Sequence, residues 1–450
     1  MRANIKNKDI LRQCLCEIIN HEFRRNINGI VIDSRKIEDN DIFLCIQGGR
    51  NHGSHFIDDD ILNKVSYVIT DNKIEGKKIL HVKDSRQFLN ELATKFRKYL
   101  ETKFIVITGT NGKTSTKELL YQLLKTKFDV SCSRKNYNTT ISLPMSILEC
   151  SKNSDFCILE MGASKNGEIG SMCKIANPDY GVVTNISESH LEGYSNFNDL
   201  IKTKMQLFEY LSNNNGIFFR NLDDENVSSI QDNICKTVSY SYCSKKSDYH
   251  MRIQNEDHSV VYINDSKFQL PYLSKSFKYN FLCSYSIAAH LRINNQNVRQ
   301  GLKKYKIPNG RGNIIKKNNY LIVNDSYNAN YESMKQGISD LKNIKESNFD
   351  TNLFLSDMSE LGEKSQTIHE KLGHFLNGLN FVDNIFLIGK AIKTTYEILQ
   401  NMRIKKYYFE DSEIFFKKID INQIDINSIN YIKGSRSMKL EKIMEIFDVK

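Results

Sequence analysis

The chain has little of what would classify it at a glance. Only four of its 450 residues are proline, and no internal repeat or low-complexity tail is present, so solenoid and proline-rich architectures are excluded. Ten cysteines are scattered without a single CxxC pair. Cys14 and Cys16 stand too close together and have no partner pair at zinc-site spacing. Reduced, mostly buried thiols are therefore expected, not a metal framework or disulfide scaffold. No apolar run approaches the length that crosses a bilayer. The opening stretch MRANIKNKDILRQCLCEIIN is broken by charges every few residues, unlike a secretory signal. The expectation is a cytoplasmic protein with no membrane insertion. A cluster of basic and aromatic residues is also missing. The formal net charge is +10, but Lys and Arg are mixed with Asp and Glu along the whole chain. No nucleic-acid partner is expected, and a modest positive field suits an enzyme acting on polyanions.

What is present points to several domains. A length of 450 residues exceeds one ordinary core, and 40% hydrophobic with 26% charged residues is normal for a globular chain. Over residues 1–98, GIVIDSR, DIFLCI, SYVITD and KILHV read as strands, and SRQFLNELATKFRKYL spaces its apolar residues as an amphipathic helix does. From 99 to 305 the order is strand, helix, strand, repeated. The near-continuous apolar runs DFCILEMG, YGVVTNI and GIFFRN fit buried parallel strands. From 306 to 450, YLIVNDS, NLFLSDM, NIFLIG and NYIKGSR predict a second, smaller doubly wound sheet, with Pro308 near the boundary. The fold class is α/β, with three domains and a central, mostly parallel sheet.

The sharpest signal is FIVITGTNGKTSTKELLYQLL, Phe104 to Leu124. An apolar strand runs into Gly109, Thr110, Asn111 and Gly112, and Lys113, Thr114 and Ser115 open a helical pattern. Backbone N–H groups at a helix start, approached without a Cβ in the way, cradle an anion. Lys113 can reach β/γ-phosphates and Thr114 can help hold Mg²⁺. The common spacing GxxxxGK[ST] would need glycine at 107, where Ile107 stands, so this is a shorter form. The residues alone leave open whose phosphate is held and what becomes of it. Glu160, ending the strand CILEMG, and His190, in SESHLEG after another strand, face the same crevice if the sheet is parallel. Both are candidate Mg²⁺ ligands, and Mg²⁺ needs few. Lys202 and Lys204 share one predicted helix and by pattern alone are solvated lysines.

These motifs, taken together, resemble the Mur ligase family, the ATP-dependent amide-forming enzymes of peptidoglycan synthesis. The resemblance spans nearly the whole chain. It is carried by DSR at 33–35 with DIFLCIQGGRNHGSHFI, by GTNGKT, NYNTTISLP, LEMGASKNGEI, TNISESHLEGY, IKTKMQLF and YNFLCSYSIAA, and by GRGN. NDSYNANYESM, SDMSELGEKSQTIHEKLG and IKGSRSMKLEKI are similar to the branch whose amine substrate is D-alanyl-D-alanine. The chain departs from the family pattern in having Ser142 and Ser187 for glycine, Tyr279 for histidine, Cys283 for asparagine and Tyr331 for proline. Unlike asparagine, Cys283 does not hydrogen-bond as an amide.

The resemblance implies a UDP-binding N-terminal domain, a central ATP-binding domain and a Rossmann-like C-terminal domain. It implies ATP and Mg²⁺ as cofactors, and UDP-N-acetylmuramoyl-tripeptide and D-alanyl-D-alanine as small-molecule substrates of a monomer. ATP would be held by Gly109 to Ser115, Asn280 and Arg311. The catalytic set would be Lys113, Glu160, His190 and Lys204, with Thr114, Glu160, His190 and a carbamylated Lys204 serving the metal. Ser34, Arg35, Asn138, Thr139, Asp325, Tyr327, Asn328 and Asn330 would bind the substrates. The γ-phosphoryl group would pass to a carboxylate, and an amine would then displace phosphate from the acyl carbon. The alternatives are a related ligase adding a single amino acid or glutamate, and a P-loop protein that binds ATP without ligating anything.

Overall fold

A strand covered on both faces must be apolar on both, and that rule shapes the middle of the chain. Ile105, Val106 and Ile107 are fully buried, as are Ile158 and Leu159 on one neighbour and Val182 and Val183 on the other. The structure is a computed structural model that describes residues 1–189, 191–230, 235–254, 258–317, 320–344, 349–419, 424 and 427–447. Its three α/β domains are each built on one sheet.

The N-terminal sheet has five strands in chain order: Arg2–Asn4, Gly29–Val31, Asp41–Leu44, Tyr67–Thr70 and Ile79–His81. The first is antiparallel to the second and the rest are parallel. Four of these are the runs expected from the sequence. Arg2–Asn4 carries no apolar run and was not expected.

The central sheet has nine strands, and Lys103–Thr108 lies between Phe156–Glu160 and Tyr180–Val183. The chain builds first to one side of Lys103–Thr108 and then to the other, so its C-terminal end is the topological switch point where a crevice opens. The helix Lys113–Leu124 follows, burying Leu119, Leu120, Leu123 and Leu124 in a core shared with the helix Lys275–His290. One departure from the expected alternation occurs. Lys236–Ser241, Tyr249–Ile253, Val260–Ile263 and Ser266–Gln269 follow one another with no helix among the described residues between them, and the last three pair antiparallel. A two-residue turn joins the final pair, with Asn264 at φ 50°, a conformation asparagine tolerates.

The C-terminal sheet has six strands. Asn313–Lys317 pairs antiparallel with Tyr320–Asn324; Ser428–Lys433, Asp350–Ser356, Asn384–Ile388 and Lys405–Phe409 then run parallel. The last strand of the chain thus sits in the middle of the sheet. Its end lies beside the loop that leaves Asn324. Asn330 starts the following helix, Tyr331–Asp340, with a capping box: its side chain accepts from Ser333 N, and the Ser333 hydroxyl accepts from Asn330 N.

One buried cation fixes the first domain to the second. Arg97 donates to the carbonyls of Ala176 at 2.9 Å, Leu100 at 3.0 Å and Asn177 at 3.2 Å, and reaches Asp179 at 3.3 Å. Its guanidinium lies 3.9 Å from the Phe104 ring centroid. The carbonyls of Ala176 and Asn177 close a helix, where a cation is favoured. Arg97→Ala strips these donors from the buried carbonyls of Ala176 and Leu100. It is expected to lower the unfolding free energy by about 2 kcal/mol, measured by urea titration, without moving the phosphate loop.

Candidate functional site

The glycine turn is required by its backbone. Gly109 has φ 135° and Gly112 φ 81°. A Cβ on Gly109 would stand 2.1 Å from Thr184 Oγ1, and one on Gly112 2.5 Å from Asn280 Oδ1. The loop is held from below by its neighbour strand's extension. Thr110 N donates to Asn185 O at 2.8 Å, Asn111 N to Asn185 Oδ1 at 3.0 Å, and Thr184 Oγ1 to Asn111 O at 2.7 Å. Ser187, in place of glycine, donates its N–H to Thr110 Oγ1 at 3.0 Å.

Lys113 curls over the loop, donating to Gly109 O at 2.8 Å and Thr110 O at 2.9 Å. Desolvation pushes its amine down to about 8; Glu160 opposes this and Arg311 adds to it. Lys204, on the helix Phe197–Asn213, is buried and donates to the same Gly109 carbonyl at 3.2 Å. Desolvation and then Lys113 push its amine down to about 7. Two amines around one carbonyl make a strongly anion-seeking floor.

Glu160 is 1% exposed. Its Oε2 accepts from Thr114 Oγ1 at 2.8 Å and its Oε1 from Asn138 Nδ2 at 2.7 Å. Arg311 Nη2 reaches Thr114 Oγ1 at 3.4 Å, and its guanidinium stacks 3.8 Å from the Tyr327 ring centroid. The C-terminal domain closes on the loop through a second contact: Asn330 Nδ2 donates to Asn111 Oδ1 at 2.8 Å. Between the domains lies a cavity of about 410 Å³ lined by Thr110 to Lys113, Ser115, Asn138, Glu160, Asn280, Arg311, Asp325, Tyr327, Asn328 and Asn330. A second cavity of about 730 Å³ shares Asn111, Gly112 and Asn280 and runs past Tyr279 and Cys283 to Tyr240. Burial pushes the Cys283 thiol up to about 12.

Not every expected residue reaches these cavities. Ser34 and Arg35 lie beyond the strand Gly29–Val31, where Arg35 is exposed and pairs with Asp33 at 2.9 Å. Thr139 instead pairs reciprocally with Ser142: its Oγ1 accepts from Ser142 N at 3.2 Å while Ser142 Oγ accepts from Thr139 N at 2.9 Å. That pairing gives the Ser142 hydroxyl a local role at the start of the helix. His190 lies outside the described residues. Glu188, two residues before it, pairs with Lys364 of the C-terminal domain at 2.8 Å. Among the described residues no three His, Cys, Asp or Glu side chains gather as a metal cluster. One buried carboxylate beside a hydroxyl is nevertheless the sparse oxygen set that Mg²⁺ accepts.

Sequence reading passed over Lys433 and Tyr431. Both line the smaller cavity and bond to Asp325. The signal was available: they close a predicted strand, NYIKGSR, in the half of the chain read as doubly wound.

A phosphate loop at the switch point of a mostly parallel sheet, faced by a second doubly wound domain, defines a nucleotide-dependent α/β enzyme with its cleft between domains. Comparison with known proteins narrows this. Models of the Mur ligase catalytic domain, the Mur ligase middle domain and the Mur ligase glutamate ligase domain match residues 26–97, 107–288 and 310–435. A UDP-N-acetylmuramoyl-tripeptide--D-alanyl-D-alanine ligase of Rickettsia prowazekii is 29% identical over 434 residues, covering 94% of this chain and 95% of its own. MurF of Acinetobacter baumannii superposes with a TM-score of 0.86 at 24% identity, covering 98% of each chain. MurF ligase of Thermotoga maritima, solved in complex with ADP, does so with a TM-score of 0.80 at 27% identity and the same coverage. The chain belongs to the Mur ligase family. No helix among the described residues is long and apolar enough to cross a membrane.

Proposed function

We propose that this protein joins D-alanyl-D-alanine to UDP-N-acetylmuramoyl-tripeptide, using ATP to activate the tripeptide carboxylate as an acyl phosphate. The observation that carries this reading is the shared cavity: the phosphate loop and the loop Asp325–Asn330 line one cleft, tied by Asn111 and Asn330. Residues 1–98 bind the UDP end, 99–305 bind ATP and 306–450 supply the amine site. Ser34 and Arg35 hold the nucleotide sugar far from the reacting end, so that binding there orients the carboxylate. The protein works as a cytoplasmic monomer.

Lys113 leaves the loop carbonyls for the β/γ-phosphate oxygens, where its charge is needed as the phosphoryl group moves. Backbone N–H groups of Gly109–Ser115 surround the same oxygens. Asn280 and Arg311 hold the nucleoside side. Thr114, Glu160, His190 and a carbamylated Lys204 are the proposed Mg²⁺ set. When bound, the metal would offset phosphate charge. Lys204 suits carbamylation because an amine titrating near 7 is half neutral at that pH, and only the neutral amine adds to carbon dioxide. Closure of the C-terminal domain keeps water from the acyl phosphate.

The test is phosphate release from ATP with UDP-tripeptide and a panel of amines. D-alanyl-D-alanine is expected to support release at least about a hundredfold better than glutamate or single amino acids. A preference for a single amino acid would move the chain to another branch. Release that ignores both partners would remove the ligase reading.

A further inference from the structure

Asp325 follows the strand Tyr320–Asn324, and its two carboxylate oxygens are treated unequally. Oδ2 accepts from Lys433 Nζ at 2.6 Å and from Tyr431 OH at 3.0 Å. No donor among the described residues reaches Oδ1. The Lys433 side chain is 3% exposed, and its amine also donates to Asn328 O at 3.1 Å, so it fixes the carboxylate and the following loop together. Tyr431 is pinned in turn. Its hydroxyl lies against Gly337, where a Cβ would stand 1.9 Å from the oxygen. Asp325, Asn328, Tyr431 and Lys433 line the same cavity as Lys113 and Glu160.

A carboxylate with two donors on one oxygen, one of them a buried cation, has lost its freedom to rotate. Its other oxygen then points in one direction and accepts hydrogen bonds there. In this cleft the incoming dipeptide brings an ammonium, a cationic N–H donor that a free carboxylate oxygen favours. We propose that Lys433 and Tyr431 are positioning residues that hold Asp325 so that its Oδ1 receives the amine of the incoming dipeptide. The proposal rests on the ligase reading above. The ammonium gives one proton to the Asp325 carboxylate, and the nitrogen lone pair adds to the acyl carbon. The C–N bond forms, the C–O bond to phosphate breaks, and inorganic phosphate leaves with that electron pair and with the second ammonium proton, so that the amide keeps one N–H. Asp325 then releases the proton to water. Lys433 is a poor partner for the dipeptide's own carboxylate, because its charge is already matched by Asp325 and two of its three N–H groups are engaged.

Two half-reactions separate this role from a merely structural one. ATP and UDP-tripeptide without dipeptide report acyl phosphate, trapped by hydroxylamine as the hydroxamate. Adding dipeptide reports amide formation. For Lys433→Met the hydroxamate yield is expected to stay within about twofold of wild type, while kcat/KM for D-alanyl-D-alanine falls on the order of a hundredfold. Tyr431→Phe is expected to lose about tenfold in the same parameter, and it decides alone should Lys433→Met not fold. The dipeptide amide, which lacks the terminal carboxylate, should lose the same factors. The proposal is overturned if hydroxamate and amide fall together, if neither falls, or if the loss disappears with the dipeptide amide, which would assign Lys433 to the carboxylate. Wild-type protein that forms no hydroxamate would instead overturn the ligase reading itself.

Discussion

Lys113→Ala is expected to cut ATP-dependent phosphate release by more than about a thousandfold, because phosphoryl transfer leaves a protein little to do but position and neutralise charge. Lys113 is the cation nearest the loop's own backbone, 2.8 Å from Gly109 O. The neighbouring cations do not replace it: Lys204 is buried beneath the same carbonyl and Arg311 is stacked on Tyr327. The variant should fold, since Lys113 is only half-buried and sits at the first turn of its helix. Unchanged thermal unfolding with abolished turnover is the expected pair of results, and retained turnover would contradict the site. A proton count gives an independent check. The free amine titrates near 8, and a bound polyanion raises that value. ATP binding should therefore take up a proton between about pH 8 and 10, read as a buffer-dependent enthalpy in calorimetry and absent in the variant.

Parts of this site were legible in the sequence because their chemistry is local. Strand, glycine turn and helix start are contiguous from Phe104 to Leu124, and the positive φ angles at Gly109 and Gly112 follow from that order. Glu160 could be placed because a residue at the end of a parallel strand must face the crevice. What stayed hidden depends on pairings distant in sequence. Asn111 and Asn330 are 219 residues apart, and each is an ordinary polar loop residue until the domains meet. Lys433 is one more residue of the predicted strand NYIKGSR until the sheet order inserts Ser428–Lys433 beside Tyr320–Asn324. The antiparallel strands between Tyr249 and Gln269 were read as part of an alternating strand–helix series. Short, half-polar strands lack the continuous apolar signal of their parallel neighbours. Thr139 belongs to a quoted motif, and in the structure its hydroxyl is bonded to Ser142 rather than turned to the cavity.

Lys204→Ala is expected to lose more than about a hundredfold in turnover, with partial recovery on adding acetate or formate, and the argument starts from burial. An amine 3% exposed, with Lys113 as its nearest charge, is destabilised as an ammonium. A carbamate reverses the sign of the charge, placing an anionic oxygen donor beside Lys113. A short carboxylate diffusing into the space left by the side chain supplies similar oxygens, which is why it should rescue alanine and leave wild type unaffected. Full activity in the unrescued variant would contradict the role. Stability moves the other way. The folded amine holds its proton only below about pH 7, whereas the unfolded one keeps it up to the ordinary value of 10.5. Between these values the unfolded chain binds more protons, so this lysine makes unfolding free energy rise with pH. Lys204→Met fills the same volume without a charge. It should be more stable than wild type at pH 6 by on the order of 1 kcal/mol, and its advantage should shrink as pH climbs from 7 toward 10. Urea unfolding of both proteins at pH 6, 8 and 9.5 in carbon dioxide-free buffer, which keeps Lys204 as the free amine, measures that difference, and an advantage that stays constant or grows with pH would mean that Lys204 is not a buried, proton-releasing amine.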